Sequence, residues 1–437
     1  MNPLRSERVA EQLRLELAEL IENEIADPRL GPVTVTAVQV SGDGKTARVL
    51  ICPLDQKADE PAYLQALDHA RGFLRRELAL RLQLRHTPQL GFAIDHGPRH
   101  VDRVETLLGR LHKRKQLGIL LLLACLPARA GWVRHEASAH TMGSVFTIAA
   151  YGEDRQLLSA ALEAAFQETR RLDQMLSNYR SSSDLSEINR DAFQKPVRVS
   201  PEVFELLQKC YQYSEASEGA FDWTVGPLMK VWGFFRGEGS LPEPAQINQA
   251  RNLIGYKKVH LDPAERTVRF EVEGMALDPG GIGKGYAVDR MVGVLKESGV
   301  TVALVSAAGS SIYGLGAPPS EPRGWYVRIR DPKSEAVTAA EVYLKDQSLS
   351  TSGTYEKFFE AGGKIYSHIM DPRTGWPAQG MLAVSVLAPL TLDSEAWTKP
   401  FFVNGPEWTR HHLPDGFRAL LCEEGKPCYW APASLQN

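Results

Sequence analysis

KRKQLGILLLLACLPARAGW, residues 113–132, decides how the rest of the chain is divided. Lys113, Arg114 and Lys115 make a basic start, Leu117–Leu126 an apolar core, and Pro127-Ala128-Arg129-Ala130 a small-residue close. That order is the pattern of a bacterial export signal. Leu122-Leu123-Ala124-Cys125 also reads as a lipobox, in which the cysteine would carry lipid. The apolar run is too short to span a bilayer, which needs about 20 residues. Within a single large domain it would be a buried helix or strand, but the charged cluster before it and the proline stop after it argue against that. Export signals belong at the front of a protein. The expectation is therefore two proteins joined end to end, residues 1–112 and 132–437, with residues 113–131 as the joint.

The bulk numbers allow this. The 437 residues suffice for two or three domains of about 100–200 residues each. A composition of 43% hydrophobic and 24% charged residues with net charge −3 is that of an ordinary globular protein, with no global bias toward nucleic acid or membrane. Cys52, Cys125, Cys210, Cys422 and Cys428 form no CxxC pair, which argues against a zinc ribbon or a thioredoxin-type centre. Cys422 and Cys428 are close enough to bond if that end is exported, and are otherwise two unrelated thiols.

In the first part, Arg5–Ile25 repeats its apolar residues at threes and fours, which predicts an amphipathic helix ending at Asp27-Pro28. VTVTAVQVS (33–41) and TARVLICPL (46–54) read as strands joined by a turn, and QLGFAIDHG (89–97) as a third. Tyr63–Leu84 is helical, with an interruption expected at Ala70-Arg71-Gly72 because a mid-helix glycine costs about 1 kcal/mol relative to alanine. Arg71, Arg75, Arg76, Arg81 and Arg85 gather there. A helix start beside arginines suits a phosphate backbone, whereas a solvated helix face would carry the same charges. SERVAEQLRLELAELIENEIADPRLG and ARGFLRRELALRLQLRHTPQLGFAID then make residues 3–108 resemble ribosome-binding factor A. The resemblance implies a type II KH-like α+β fold (α-β-β-α-α-β) with Ala70-Arg71-Gly72 as the RNA-facing turn. It also implies binding to 16S rRNA on the maturing 30S subunit without catalysis.

In the second part, His140–Gly152 opens with an alternating strand, Leu157–Leu176 is helical, Ser177–Arg190 is a polar loop, and Ser200 caps a further helix. Gly280-Gly281-Ile282-Gly283-Lys284-Gly285 opens another helix. Such a loop lets backbone N–H groups approach phosphates, with Lys284 adding charge and Asp278 just upstream, although a tight structural turn uses the same residues. It is neither a Walker A motif nor GxGxxG. His368 and Asp371 lie three apart before a turn. Asp393 and Glu395 precede a helix and suit Mg²⁺ as hard oxygen ligands, while Asp393 or Ser394 could equally cap that helix.

MGSVFTI, LDQMLSNYRSSSDLSEINR, GAFDWTVGPLMKVWGF, LDPGGIGKGYAVDR, STSGTYEKFFEAGGKIYSHIMDPRTGWP and FFVNG occur in the order found in FAD:protein FMN transferases, and residues 140–405 resemble that family. The resemblance implies a larger α+β domain that uses FAD and Mg²⁺ to move FMN onto a threonine of an acceptor flavoprotein, releasing AMP. It puts Met142 and Tyr179 beside the flavin and Ala220, Phe221 and Asp222 along the FAD site. Asp278 and Lys284 fall at the nucleotide portion, His368 near the pyrophosphate, and the Gly281 carbonyl at the metal. Asp222 or Asp278 would be the base for the acceptor hydroxyl. The family's metal-binding aspartate and threonine, four apart, are here Glu395 and Lys399, with Asp393 and Thr398 nearby but out of that spacing. Gly309-Ser310-Ser311 stands where Gly-Gly-Asp is usual. These departures keep open a flavin-binding or FAD-hydrolysing relative, or an inert second half beside an RNA-binding first half. The two halves call for opposite compartments: cytoplasm for the ribosome factor, the membrane surface or periplasm for a separately expressed transferase. The chain is then either a true fusion tethered at the membrane through residues 113–131 or two reading frames joined.

Overall fold

A computed structural model describes residues 13, 16, 17, 20, 21, 27, 33–41, 45–53, 60–82, 87–94, 131–236 and 239–431. The export-like segment, most of the Arg5–Ile25 helix and Arg85 lie outside the described residues, as does the side chain of Arg81. The chain divides into two units, Met1–Pro127 and Ala128–Asn437.

In the first unit, Val33–Val40 pairs antiparallel with Thr46–Pro53, which pairs parallel with Gln89–Ile94. The Glu60–Leu82 helix packs Leu67, Leu74 and Leu78 against this sheet, with Leu13 and Leu17 in the same core, all fully buried. The expected interruption at Ala70-Arg71-Gly72 is not there; the helix is continuous from Glu60 to Leu82. Burying one leucine contributes about 1.5–3 kcal/mol, which outweighs the roughly 1 kcal/mol that one helical glycine costs. Without a break there is no helix start at Ala70-Arg71-Gly72, so that source of free N–H groups is removed from the RNA-binding reading.

The second unit is built on an eight-stranded antiparallel sheet. Its order is Tyr429–Ala431, Arg418–Glu423, Met381–Ala388, Gln347–Gly353, Ser311–Leu315, Val302–Ala307, Ser144–Gly152 and Val133–Thr141. Helices Arg155–Leu176 and Gly283–Glu297 cover one region of it through Phe146, Ile148, Leu162, Phe166, Val288 and Met291. The strand expected to open at His140 is the second arm of a hairpin. Met142 and Gly143 both take positive φ (52° and 65°), the two-residue turn whose twist suits paired strands. Part of the expected 177–190 loop is a helix, Asp184–Asp191, because Ser183 caps it and Leu185 and Ile188, three apart, both find the core. Ser200 caps Pro201–Ala216 as expected, accepting from Val203 N–H. Cys422 and Cys428 are joined by a disulfide, and Cys210 is a buried free thiol.

Candidate functional site

A cavity of about 880 Å³ opens in the second unit, within the size range of small-molecule sites. The Met142–Gly143 turn, the glycine loop, the Ala220–Asp222 segment and the turn carrying His368 all reach it. Its floor begins at Asp278, whose Oδ1 accepts from Gly280 N–H at 2.7 Å and so folds the loop back on itself. Burial pushes the Asp278 carboxyl above the usual range, and the Lys357 charge opposes this only in part. The helix Gly283–Glu297 then starts at the cavity wall, where Lys284 lines it and hydrogen-bonds Ser310. Met142 sits over the loop: a Cβ at Gly283 would touch its Cε at 3.5 Å.

Gly285 lies against the helix Thr391–His412. Its N–H donates to the Glu395 carboxylate, and a Cβ there would stand 2.8 Å from the Thr391 carbonyl carbon. The same interface caps that helix. Asp289 accepts from Thr391 N–H at 2.7 Å and Leu392 N–H at 2.8 Å, so neither Asp393 nor Ser394 is the cap. Burial raises Asp289 to about 6, with the two amide bonds working against the rise.

At the mouth, Tyr179 is 76% exposed and stacks on Phe235, ring centroids 4.8 Å apart. Ala220 and Phe221 are buried in the wall. Asp222 also reaches the cavity, but both its oxygens are used: Oδ1 accepts from Thr224 N–H at 2.8 Å and Oγ1 at 2.6 Å, and Oδ2 from Tyr256 N–H at 2.9 Å. It ties the Phe221–Thr224 turn to Tyr256, with both carboxylate oxygens accepting protein hydrogen bonds. His368 approaches the Lys357 carbonyl through Nδ1 at 3.2 Å; a carbonyl only accepts, so Nδ1 carries the proton and Nε2 is left as an acceptor. Burial lowers its pKa to about 4, and the charges of Lys357, Lys399 and Lys284 push the same way. Sequence reasoning missed Arg328, Arg330, Tyr355 and Lys357, which also line the cavity. Arg328 and Arg330 come from an ordinary alternating strand, and nothing local distinguishes them; Arg330 lies over the Tyr355 ring at 4.7 Å.

Of the four expected metal residues, Gly281 and Glu395 lie on either side of the Lys399 side chain, while Asp393 and Thr398 do not join them. Asp393 is held by the Tyr213 hydroxyl at 2.5 Å and is not among the cavity residues. Thr398 hydrogen-bonds Ser352 and its own helix carbonyl at Glu395, both at 2.7 Å. Glu395 is buried on Gly285 N–H, and Lys399 Nζ stands 4.0 Å from its Oε1. No group of three or more His, Cys, Asp or Glu able to hold a metal exists among the described residues. Mg²⁺ prefers six oxygens in near-octahedral array. Here Asp393 and Thr398 do not reach the cavity, Glu395 Oε2 is held by Gly285 N–H, and the Lys399 ammonium stands 4.0 Å from Glu395 Oε1, so the residues present do not assemble the oxygen cage that Mg²⁺ needs.

Residues 142–420 match the model of the ApbE family, about two thirds of the chain. The chain belongs to the ApbE family. An FAD:protein FMN transferase of Klebsiella pneumoniae (strain 342) is 35% identical over 273 residues, 62% of this chain and 82% of that protein. One from Treponema pallidum (strain Nichols) is 32% identical over 311 residues, 67% of this chain and 86% of its own length. The apo flavinyl transferase ApbE of Pseudomonas stutzeri superposes with a TM-score of 0.60 at 30% identity, covering 69% of this chain and 96% of its own. Ahead of the ApbE part, residues 5–108 match the ribosome-binding factor A model.

In the first unit the described arginine side chains of the cluster are those of Arg71, Arg75 and Arg76. Arg71 pairs with Asp68 on the surface, and Arg76 is exposed beside Glu77 and over Phe73. Arg75 is half-buried, and its guanidinium donates to the Thr87 carbonyl at 3.3 Å, tying the helix to the chain just before Gln89–Ile94. Ala70 packs against the core while Gly72 is exposed.

Proposed function

We propose that residues 132–437 are an FAD:protein FMN transferase and residues 1–112 a non-enzymatic ribosome-binding unit, joined in one chain through residues 113–131. For the transferase the carrying observation is one cavity that combines a helix-opening glycine loop, Lys284 and Lys399 with an aromatic mouth at Tyr179 and Phe235. The glycine loop and the lysines suit a pyrophosphate, and the aromatic pair suits a flavin ring. The acceptor threonine Oγ attacks the FMN-side phosphorus, the P–O bond to the AMP phosphate breaks, and AMP leaves with the electron pair. The hydroxyl proton goes to Asp278, whose raised pKa brings it closer to a base working near neutrality. His368, neutral at that pH, holds a ligand hydroxyl on Nε2. Such transfers depend on positioning and charge neutralisation, which lysines supply here. Magnesium has no step in this mechanism, because the residues that would hold it are engaged as described above.

The acceptor is a threonine-bearing flavoprotein. For residues 1–112, the ribosome-binding factor A match and the exposed Arg71 and Arg76 support binding to 16S rRNA of the small subunit in the cytoplasm. The Cys422–Cys428 disulfide supports a transferase working outside that reducing compartment when it is expressed separately. No described helix is long and apolar enough to cross a membrane, and the tether proposed is residues 113–131. The test incubates the full chain with FAD and a threonine-bearing acceptor peptide. Covalent flavin fluorescence on the peptide, equimolar with AMP, is the expected result. AMP without labelled peptide would indicate an FAD hydrolase instead.

A further inference from the structure

We infer that Lys399 is the built-in cation of this site: its ammonium occupies the position at which a divalent ion would neutralise the FAD pyrophosphate, and the chain binds FAD without a metal. The inference rests on reading the cavity as a flavin-transferase site. Lys399 lies one helical turn after Glu395, and its Nζ donates to the Glu395 backbone carbonyl at 2.9 Å while standing 4.0 Å from the carboxylate. Its Cε would be 3.7 Å from a Cβ at Gly281, so the side chain runs between Gly281 and Glu395, the pair expected to flank a metal. Glu395 has turned its other oxygen to Gly285 N–H, and its side chain is only 4% exposed. The extra methylene that glutamate has over aspartate carries the carboxylate to that amide. The two departures from the family pattern therefore act together: glutamate anchors between the helices, and lysine supplies the charge.

The hydrogen-bond count agrees. An ammonium has three N–H donors. One is used on the Glu395 carbonyl, which leaves two for phosphate oxygens. The Lys399 side chain keeps 21% of its surface exposed and lines the cavity together with Lys284. A divalent ion entering here would meet the ammonium at close range, and like charges in a partly buried site repel strongly.

Binding of FAD by the full chain, followed by flavin fluorescence in EDTA and in millimolar Mg²⁺, tests the inference without any substitution. The two affinities should agree within about twofold, since no metal contact is gained or lost. Lys399→Met should weaken binding at least about tenfold in both buffers, the loss expected for one charge-assisted contact. The double variant Glu395→Asp, Lys399→Thr should bind FAD only when Mg²⁺ is present. Far-UV circular dichroism checks that each variant folds. Wild-type affinity that collapses in EDTA and returns with Mg²⁺ would overturn the Lys399 assignment while leaving the flavin site standing. No FAD binding in either buffer would overturn the flavin site itself, and the inference with it.

Discussion

Gly285→Ala probes the contact that positions the site. The helix Gly283–Glu297 approaches Thr391–His412 so closely at this residue that a Cβ would lie 2.8 Å from the Thr391 carbonyl carbon and 2.9 Å from Glu395 Oε2, and closer still to the Thr391 oxygen. Backbone cannot swing aside as a flexible side chain can, so the helices must separate. Overpacking of this kind costs about 1–3 kcal/mol. Separation also stretches the Gly285 N–H bond to a buried carboxylate, and a buried polar group left short of its partner costs about 1–3 kcal/mol. Against this, alanine is a better helix former by about 1 kcal/mol. The net expectation is a loss of about 3 kcal/mol, from the middle of those ranges. All eight tryptophans lie between Trp132 and Trp430, so urea unfolding followed by tryptophan fluorescence reads the second unit without interference from the first. Flavin affinity should fall in parallel, because Glu395 and Lys399 ride on the displaced helix. A midpoint unchanged within the error of the fit, with FAD affinity intact, would refute the claim that glycine is required for this approach.

Four further outcomes rest on the geometry. Glu168 is held at about 2 instead of 4.5, chiefly by its hydrogen bonds to Arg171 (both 2.8 Å), with Arg290 helping. A lowered carboxylate pKa contributes stability that is complete above the unfolded value and is lost as pH falls. The second unit should therefore weaken between pH 4.5 and about 2, and Glu168→Gln should flatten that part of the curve in acid titrations read by tryptophan fluorescence. His368 in the FAD-free chain should titrate with a midpoint about 4 by NMR; a midpoint near 6.5 would mean its ring is hydrated rather than buried. In the first unit, Arg76→Ala should weaken small-subunit RNA binding and reduce the salt slope by about 1, the effect of one phosphate contact. Arg75→Ala should instead lower that unit's melting temperature, since it breaks the tie to Thr87.

Elements with strong local patterning were legible in the sequence. The Arg155–Leu176 helix, the Ser200 cap and the first-unit strands follow from apolar spacing and capping chemistry, which act over a few residues. The errors came where tertiary burial overrode a local cost. Gly72 did not interrupt its helix because Leu67, Leu74 and Leu78 hold both sides of it to the sheet. SSSDLSEINR looked like a loop because its two apolar residues are few, but both reach the core.

The site divides the same way. The glycine loop, Asp278, Lys284, His368 and the Glu395/Lys399 departure were readable as motifs, because each is a short string of residues whose chemistry is fixed by type and spacing. Which of them are free to act was not readable. Asp222 reads as a base in the sequence, but Tyr256 N–H, 34 residues away, holds its Oδ2. Asp393 reads as a ligand in the sequence, but the Tyr213 hydroxyl, 180 residues away, holds its Oδ1. Arg328 and Arg330 reach the cavity from a strand with no motif. Residue types and spacings belong to the linear chain, so the sequence by itself determined the two-part organisation, the family and the chemical repertoire. Hydrogen-bond partners that are far apart in sequence meet only after folding, so only the tertiary structure decided which carboxylate oxygens are engaged and which cations line the cavity.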